Sequence, residues 1–533
     1  MRKPEDETAG ALREETHYDG RRMLCYAERP ASLLAMFEGL VARFGERPAI
    51  VEDTTISFRE LDRLTRIVGA NLSALGVAPG DRVALYLGNA WEFLAVLFAC
   101  LRIGAVVVPI GTRQRHAELE FMLNDSGAKI LVHEADLAEF IPTPAEIPGV
   151  AHRFSIRAPA PGAQTFDDLL KEGDACPTHT PREEDVAIIL YTSGTTGRPK
   201  GAQLTQLGIV HSALAFSRTF GLTEEDRGYV AVPLSHVTGL VGVTMAAMIG
   251  GGAVVLMRQA FKAADFIAQA AREKITFTIV VPAIYSLCAM SPALDAHDLS
   301  AWRIGSFGGA PMPVPTIEAL AKKLPNLNLV NAYGATETTS PATIMPIPSW
   351  RENVDSVGRV VHCGTIRIVD DEGADVAPGE AGEIWIAGPM VVPGYLNRPD
   401  ANASEFVDGF WKSGDIGSRD ADGFVRVFDR KKDMINRGGF KIFSAEVESV
   451  IAGIPGVVEC AIVGRPDPVL TERVCAIVVV EAGAALAAED VRAFCAQRLS
   501  DYKTPEFVTV RSEPLPRNAN GKILKPLLRQ QVG

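Results

Sequence analysis

At 533 residues the chain is too long for one compact core and implies two or more units. Its hydrophobic and charged fractions, 47% and 22%, are those of an ordinary globular protein. A formal net charge of −12 argues against a nucleic-acid partner, because an acidic field does not attract phosphate backbones. Eight cysteines (Cys25, Cys100, Cys176, Cys288, Cys363, Cys460, Cys475 and Cys495) are scattered without a CxxC pair or a histidine cluster, so they read as free thiols of a reducing, cytoplasmic compartment rather than as disulfides or zinc ligands.

Residues 1–30 are rich in Glu, Asp and Arg and lack the apolar core of a signal peptide; they read as a disordered or loosely attached segment. From Ala31 the pattern alternates. Leu33, Leu34, Phe37, Leu40 and Val41 recur at helical spacing. Ala49-Ile50-Val51 is a short strand, and Ser57 with Glu60 reads as a capping box. Strands follow at Val83–Leu87, Ala105–Pro109 and Val186–Leu190. Apolar strands separated by helices predict a mostly parallel sheet covered on both faces, an α/β fold. Leu240–Met257 carries no charge and is long enough to raise the question of a membrane span. Gly242 and the run Gly250-Gly251-Gly252 divide it instead into a buried helix, a turn and the strand Ala253–Leu256, so no integral span is expected.

Ile279-Val280-Val281 is a further buried strand. From about Gly364 to Val427 short strands and tight turns predict a β-rich subdomain. Beyond Arg430 the chain makes a new start, with a helix from Ser444, strands at Val457–Val463 and Val474–Val480, and a helix from Glu489. The expected division is a large domain over residues 31–430 and a small mobile α+β domain over 431–533.

Thr192–Gly201, directly after a core strand, packs four hydroxyl residues, three glycines and a lysine into ten positions. Glycines let backbone amides approach an anion, and hydroxyls with Lys200 add donors for phosphate oxygens. The GxxxxGK[ST] spacing of the common nucleotide loop is absent.

Tyr191-Thr192-Ser193-Gly194-Thr195-Thr196-Gly197-Arg198-Pro199-Lys200-Gly201 resembles the signature of the adenylate-forming superfamily of acyl-CoA synthetases, luciferases and peptide-synthetase adenylation domains. The superfamily's other motifs follow in its order: Asn331-Ala332-Tyr333-Gly334-Ala335-Thr336-Glu337-Thr338, Gly382-Glu383-Ile384, Ser413-Gly414-Asp415, Asp429–Ile435 and Asn520-Gly521-Lys522. The resemblance is closest to an acyl-CoA synthetase. It implies ATP, Mg²⁺ and coenzyme A as cofactors and a two-step reaction through an acyl-adenylate.

On that resemblance Tyr333 stacks on adenine beside Asn331, Thr336 donates to the α-phosphate and Glu337 is the Mg²⁺ ligand. Gly308 to Pro311, including Gly309 and Ala310, resembles the loop lining the adenine and acyl sites. Asp415 and Arg430 face the ribose. Lys522 stabilises charge on the departing pyrophosphate. His236 resembles the residue at the mouth of the acyl pocket, with a satisfied core histidine as its other reading. Lys432 maps to the hinge, and Gly438, Gly439, Phe440 and Lys441 to the thiol tunnel.

Ala231–Met257 has no acidic residue and Ile275–Pro292 no charge, so the expected substrate is an apolar fatty, aryl or alicyclic acid. Arg258 is open to clamping a second carboxylate or to solvation. A stand-alone enzyme loading a carrier protein, a luciferase-like oxygenase and a non-catalytic nucleotide-binding relative are the alternatives. The partners are small molecules, and a homodimer is the assembly allowed.

Overall fold

The computed structural model describes residues 10–18, 20–192, 198–309, 312–481, 483–517 and 523–532. The chain divides into two compact units, Met1–Ile366 with Ile386–Lys412 and Asp422–Val425, and Arg367–Trp385 with Ser413–Ala421 and Arg426–Gly533.

The apolar runs of the first unit form the expected parallel strands. One seven-stranded sheet runs Lys200–Thr205, Val186–Thr192, Val106–Pro109, Arg82–Tyr86, Ala128–Glu134, His152–Ile156, Gln164–Thr165. Its neighbours are parallel except the edge hairpin of the first two. A second sheet aligns Asn328–Tyr333, Ile304–Phe307, Phe277–Val280, Arg227–Val230, Ala253–Leu256 and Pro48–Val51, all parallel. Helix Trp91–Ile103 is buried along all but its first residue, its apolar residues occupying every side of it. It carries Arg102 into the interior, where the fully buried guanidinium bonds Glu38 (3.0 Å) and Asp62 (2.5 Å).

The capping serine behaves as expected, since Ser57 Oγ accepts from the Glu60 amide at the start of Phe58–Ala74. The uncharged segment divides as predicted: Thr238–Met245 and Ala246–Ile249 are buried helical turns, and Ala253–Leu256 is a buried strand. Among the described residues no helix is long and apolar enough to cross a membrane. The described cysteines are free thiols, six of them buried.

The second unit contains a five-stranded sheet built on the long hairpin Val457–Asp467 and Thr471–Val480. Successive residues of both strands pack into opposite cores. Ile462, Val474, Ala476 and Val478 face helices Ser444–Ile451 and Ala488–Ala496, while Ala461, Val463, Cys475 and Ile477 meet Leu528 of helix Lys525–Val532. A period-two strand that is apolar on both faces requires cover on both.

The expectation of a loose N-terminal segment does not hold for its described residues. Leu12–His17 and Arg21–Tyr26 pair as an antiparallel hairpin. Cys25 and Tyr26 are buried, and Tyr26 stacks on His211 at 5.5 Å. The charges that suggested solvation are paired across the fold: Arg29 bonds Glu15 (2.8 Å) and Glu183 (2.6 Å), and Arg21 donates to the Pro393 carbonyl (3.1 Å).

The Arg29 guanidinium holds the Glu15 carboxyl well below the usual carboxylate range. A depressed carboxylate stabilises the fold above its unfolded value of about 4.3 and loses that contribution as pH falls through the lower folded value. Arg29→Ala is expected to cost about 1.5–3 kcal/mol at neutral pH, the range for hydrogen bonds to charged groups. Thermal melting across pH checks this: the wild type should lose stability below about pH 4 more steeply than the variant.

Candidate active site

In the second sheet of the first unit the candidate residues leave the carboxyl ends of neighbouring parallel strands, the edge at which open α/β sheets receive ligands. His236 follows Arg227–Val230, Gly308 and Gly309 follow Ile304–Phe307, and Asn331, Ala332 and Tyr333 end the next strand, with Phe307 opposite Asn331 in register. A side chain at Gly308 would strike the Ala332 carbonyl, so only glycine passes there. Gly309 has φ +78° with open space beside it. Asn331 Nδ2 donates to the Ser356 carbonyl at 3.0 Å, which fixes its amide plane. Gly334 is exposed, and beyond it Thr336–Thr338 forms a 3-10 turn that buries Glu337.

Glu337 sits in a charged cluster. Tyr395 Oη lies 2.9 Å from Glu337 Oε1 and 2.8 Å from Glu405 Oε2. Glu405 Oε1 is ion-paired with Lys200 Nζ, which stands 4.7 Å from the centre of the Tyr395 ring. Burial, then the two carboxylates, push the Tyr395 phenol far above its ordinary value, so it stays protonated and can donate. The backbone around Tyr395 is tied down. Leu396 N donates to the Gly201 carbonyl (2.8 Å) and Val392 N to the Glu337 carbonyl (2.9 Å). Tyr395 N donates to Asn402 Oδ1 (2.7 Å), while Asn402 Nδ2 returns a bond to the Tyr395 carbonyl (2.9 Å). Thr192 and Lys200 face each other in the edge hairpin. The expected Ser193, Gly194, Thr195, Thr196, Gly197, Ala310, Pro311 and Lys522 lie outside the described residues.

His236 is half-buried at the entry to Thr238–Met245. Its loop hangs on Asn89, whose Oδ1 accepts from Leu234 N (2.8 Å) and whose Nδ2 lies within hydrogen-bond distance of the carbonyls of Val230 (3.0 Å), Val232 (3.2 Å) and Met257 (3.1 Å). Arg258 pairs with Glu134 at 2.8 Å through Nη2.

In the second unit Asp415 is buried and bonded to Arg430 Nε at 2.7 Å. Ser413 Oγ accepts from the Asp415 amide (3.0 Å) and donates to the Ile384 carbonyl (2.7 Å), which sets the loop. Lys432 lies in the turn before Ile435–Arg437, its carbonyl accepts from Arg529 (2.9 Å), and burial lowers its ammonium pKa. Gly438 and Gly439, at φ +59° and +93°, form the two-residue turn of the hairpin Ile435–Arg437 and Phe440–Ile442, a turn that glycine pairs favour. Phe440 is exposed and stacks on Tyr502 at 4.6 Å, and Lys441 reaches Asp371 at 3.4 Å.

Asn89, Tyr395, Asn402 and Glu405 escape the sequence reading. Their partners are remote in the chain, and the only local signal is the turn-forming Pro393-Gly394 before Tyr395. Within the first unit the donor set fits a metal–nucleotide ligand: Glu337 offers a buried hard oxygen, Lys200 a cation, and Gly309 open space beside a strand end.

Residues 37–396 match the family model for AMP-binding enzymes, and residues 446–522 match that for the AMP-binding enzyme C-terminal domain. A feruloyl-CoA synthase of Amycolatopsis sp is 37% identical over 90% of this chain and 94% of its own. A long-chain-fatty-acid–CoA ligase of Mycobacterium tuberculosis is 34% identical over 90% and 93%. The solved o-succinylbenzoate CoA synthetase of Bacillus subtilis in complex with its acyl-adenylate intermediate superposes with a TM-score of 0.83, at 30% identity, over 94% of this chain and 98% of that one.

The Asn89 carboxamide generates a direct test. Asn89→Asp keeps the shape but turns a donor into a carboxylate facing three carbonyls, and Asn89→Ala removes the acceptor of Leu234 N and the donor facing the Val232 and Met257 carbonyls. Each is expected to cost about 1–3 kcal/mol, the penalty for unsatisfied buried polar groups. Differential scanning calorimetry should show both variants melting below the wild type, and aspartate at least as damaging as alanine.

Proposed function

Because the chain belongs to the AMP-binding enzyme family and is an acyl-CoA-synthetase-like acid–thiol ligase of the adenylate-forming superfamily, we propose that it activates an apolar carboxylic acid with ATP and Mg²⁺ and transfers the acyl group to coenzyme A. The observation that carries this reading is the buried Glu337 carboxylate, which lies in the 3-10 turn after the strand bearing Asn331 and Tyr333 and is linked through Tyr395 and Glu405 to Lys200.

In the first step a carboxylate oxygen of the acid attacks the α-phosphorus and the bond to the β-phosphate bridging oxygen breaks, so pyrophosphate leaves with the electron pair. Tyr333 and Asn331 orient adenine, Asp415 and Arg430 hold the ribose, and Thr336, Lys200 and the Thr192–Gly197 loop address the phosphates. Glu337 would hold Mg²⁺, which when bound would supply charge neutralisation of the phosphates. Lys522 stabilises the charge that develops on the bridging oxygen. In the second step the thiol sulfur attacks the acyl carbonyl, the bond to the AMP oxygen breaks and the thiol proton passes to solvent. Lys432 is the position at which the backbone turns between the two steps, with Gly438 to Lys441 beside the thiol and His236 at the acyl entrance.

The acid is a fatty, aryl or alicyclic one. Supporting this, the segment after Arg227–Val230 presents no carboxylate, Leu240, Val241, Val243 and Met245 are buried apolar groups, and the similar feruloyl-CoA synthase and fatty-acid–CoA ligase take an aryl and an aliphatic acid respectively. A panel of such acids, assayed with ATP and Mg²⁺ with and without CoA, tests the reading. The expected result is acid-dependent pyrophosphate release with thioester formed only when CoA is present. Adenylate formation with no consumption of CoA would favour a carrier-protein acceptor or an oxygenase, and no pyrophosphate with any acid would refute it.

Lys522→Ala is expected to slow adenylation by the equivalent of about 2.7–4 kcal/mol, roughly a hundred- to a thousandfold, the scale for one charge-stabilising donor. Thioester formation from synthetic acyl-AMP should survive. Single-turnover rates of the two steps check this, and unchanged adenylation would remove Lys522 from the first step.

A further inference from the structure

We infer that Asp125 is a positioning residue for phosphate binding: it clamps the edge hairpin through the Tyr191 hydroxyl on one strand and through Asn397 and Arg398 beside the other, and so sets where Thr192 and Lys200 present their donors. The inference rests on the function proposed above, which gives Thr192 and Lys200 the phosphates. It goes beyond that reading by assigning a residue that lies outside every nucleotide-binding motif.

Tyr191 stands opposite Gly201 in the antiparallel register of the hairpin, and Thr192 stands opposite Lys200. The Tyr191 ring lies over Gly201, where an added Cβ would come within 3.2 Å of the ring's Cζ. Tyr191 Oη donates to Asp125 Oδ2 at 2.7 Å. Burial, then this carboxylate, push the phenol far above its ordinary value, so it keeps its proton and donates at all working pH. Another neighbour of the phenol is the Ser126 hydroxyl, which donates to the Met122 carbonyl at 2.7 Å.

The second oxygen grips the other side. Asp125 Oδ1 pairs with Arg398 Nη2 at 3.0 Å, and the Asp125 carbonyl accepts from Asn397 Nδ2 at 3.0 Å. The residues just before these run along the outer strand of the hairpin. Gln203 N donates to the Gly394 carbonyl (3.2 Å), Leu396 N donates to the Gly201 carbonyl (2.8 Å), and Ala202 bridges to Tyr395. One aspartate is thus tied to both strands immediately behind Thr192 and Lys200.

The helix itself gives no reason for a carboxylate there. Asp125 lies in the last turn of helix His116–Ser126, the end at which the helix dipole disfavours negative charge, and its side chain is only 10% exposed. Its compensation comes from the partners it holds. Phe121, four residues earlier on the same helix face, meets the Tyr191 ring edge to face at 6.3 Å and lies 5.5 Å from the Arg398 guanidinium. The same two partners are therefore touched twice from one face of the helix.

The test measures the two half-reactions separately on the full-length protein. Tyr191→Phe keeps the ring over Gly201 and removes only the link to Asp125. It should lower kcat/KM for Mg·ATP in adenylation about tenfold, within the range for a displaced positioning group. Thioester formation from synthetic acyl-AMP and CoA should stay within about twofold, because no pyrophosphate is held in that step. Asp125→Asn should show the same split, and the double variant should be no worse than the more impaired single one, since both break one link. Equal losses in the two half-reactions, which a purely structural role would give, or additive losses, or unchanged adenylation by Tyr191→Phe, would overturn the clamp. Hydrogen–deuterium exchange reads the hairpin without any substrate. The amides of residues 200–204 should exchange faster in Tyr191→Phe than in the wild type, and equal rates would contradict the inference. A wild type that releases no pyrophosphate with any acid would refute the proposed function, and the exchange measurement then decides the clamp by itself.

Discussion

A carboxylate that leaves water must find compensation nearby, and in this protein the compensation of Glu337 organises everything around it. Tyr395 supplies the donor, Glu405 shares it, and Lys200 balances the charge. To put these four side chains together the fold must bring the glycine-rich hairpin, the strand ending at Tyr333 and the segment after Gly388 to one place. It does so with backbone hydrogen bonds that run from Gly201 to Leu396 and from Glu337 to Val392. The N-terminal hairpin adds the outer support, because Arg21 donates to the carbonyls of Val392 and Pro393 on the same segment.

Such a cluster is not the cheapest way to fill an interior. An apolar group of similar size in place of a buried ion pair often leaves a protein as stable or more so, and removing one partner alone is far more damaging. The same logic applies at Arg102, which is fully buried between Glu38 and Asp62 and has no place in the chemistry proposed here. The two clusters differ in what a ligand can do to them. At Arg102 no proposed ligand competes for the carboxylates, of which Asp62 also pairs with Arg66 (2.9 Å). At Lys200, on the function proposed, an arriving phosphate would compete with Glu405 for the ammonium.

Much of the architecture was legible in the sequence because it is written in consecutive residues. Val83 to Leu87, Val186 to Leu190 and Val474 to Val480 are apolar runs, and each is a strand. The triple glycine after Ile249 divides a run that would otherwise suggest a membrane span. The motifs carrying Asn331 to Thr338 and Ser413 to Asp415 are also contiguous, so the residues of the candidate site could be named before any fold was known. What was not legible depends on partners far apart in the chain. Glu405 lies 205 positions from Lys200, and Tyr395 is 58 from Glu337. Asn89 holds carbonyls on two later loops. The N-terminal hairpin was misread for a related reason: Glu15, Arg21 and Arg29 look like solvated charges until Glu183 and the Pro393 carbonyl are set beside them. The acid itself is written in no motif, because an apolar pocket wall specifies shape through packing and uses no distinctive residue type.

The resting pair of Lys200 with Glu405 is the hinge of this account, and a crystal structure of the protein with Mg²⁺ and a non-hydrolysable ATP analogue examines it directly. The account predicts Lys200 Nζ on a phosphate oxygen and no longer on Glu405, and a Glu337 oxygen on the metal. Lys200 still paired with Glu405 while the nucleotide occupies the site would contradict it.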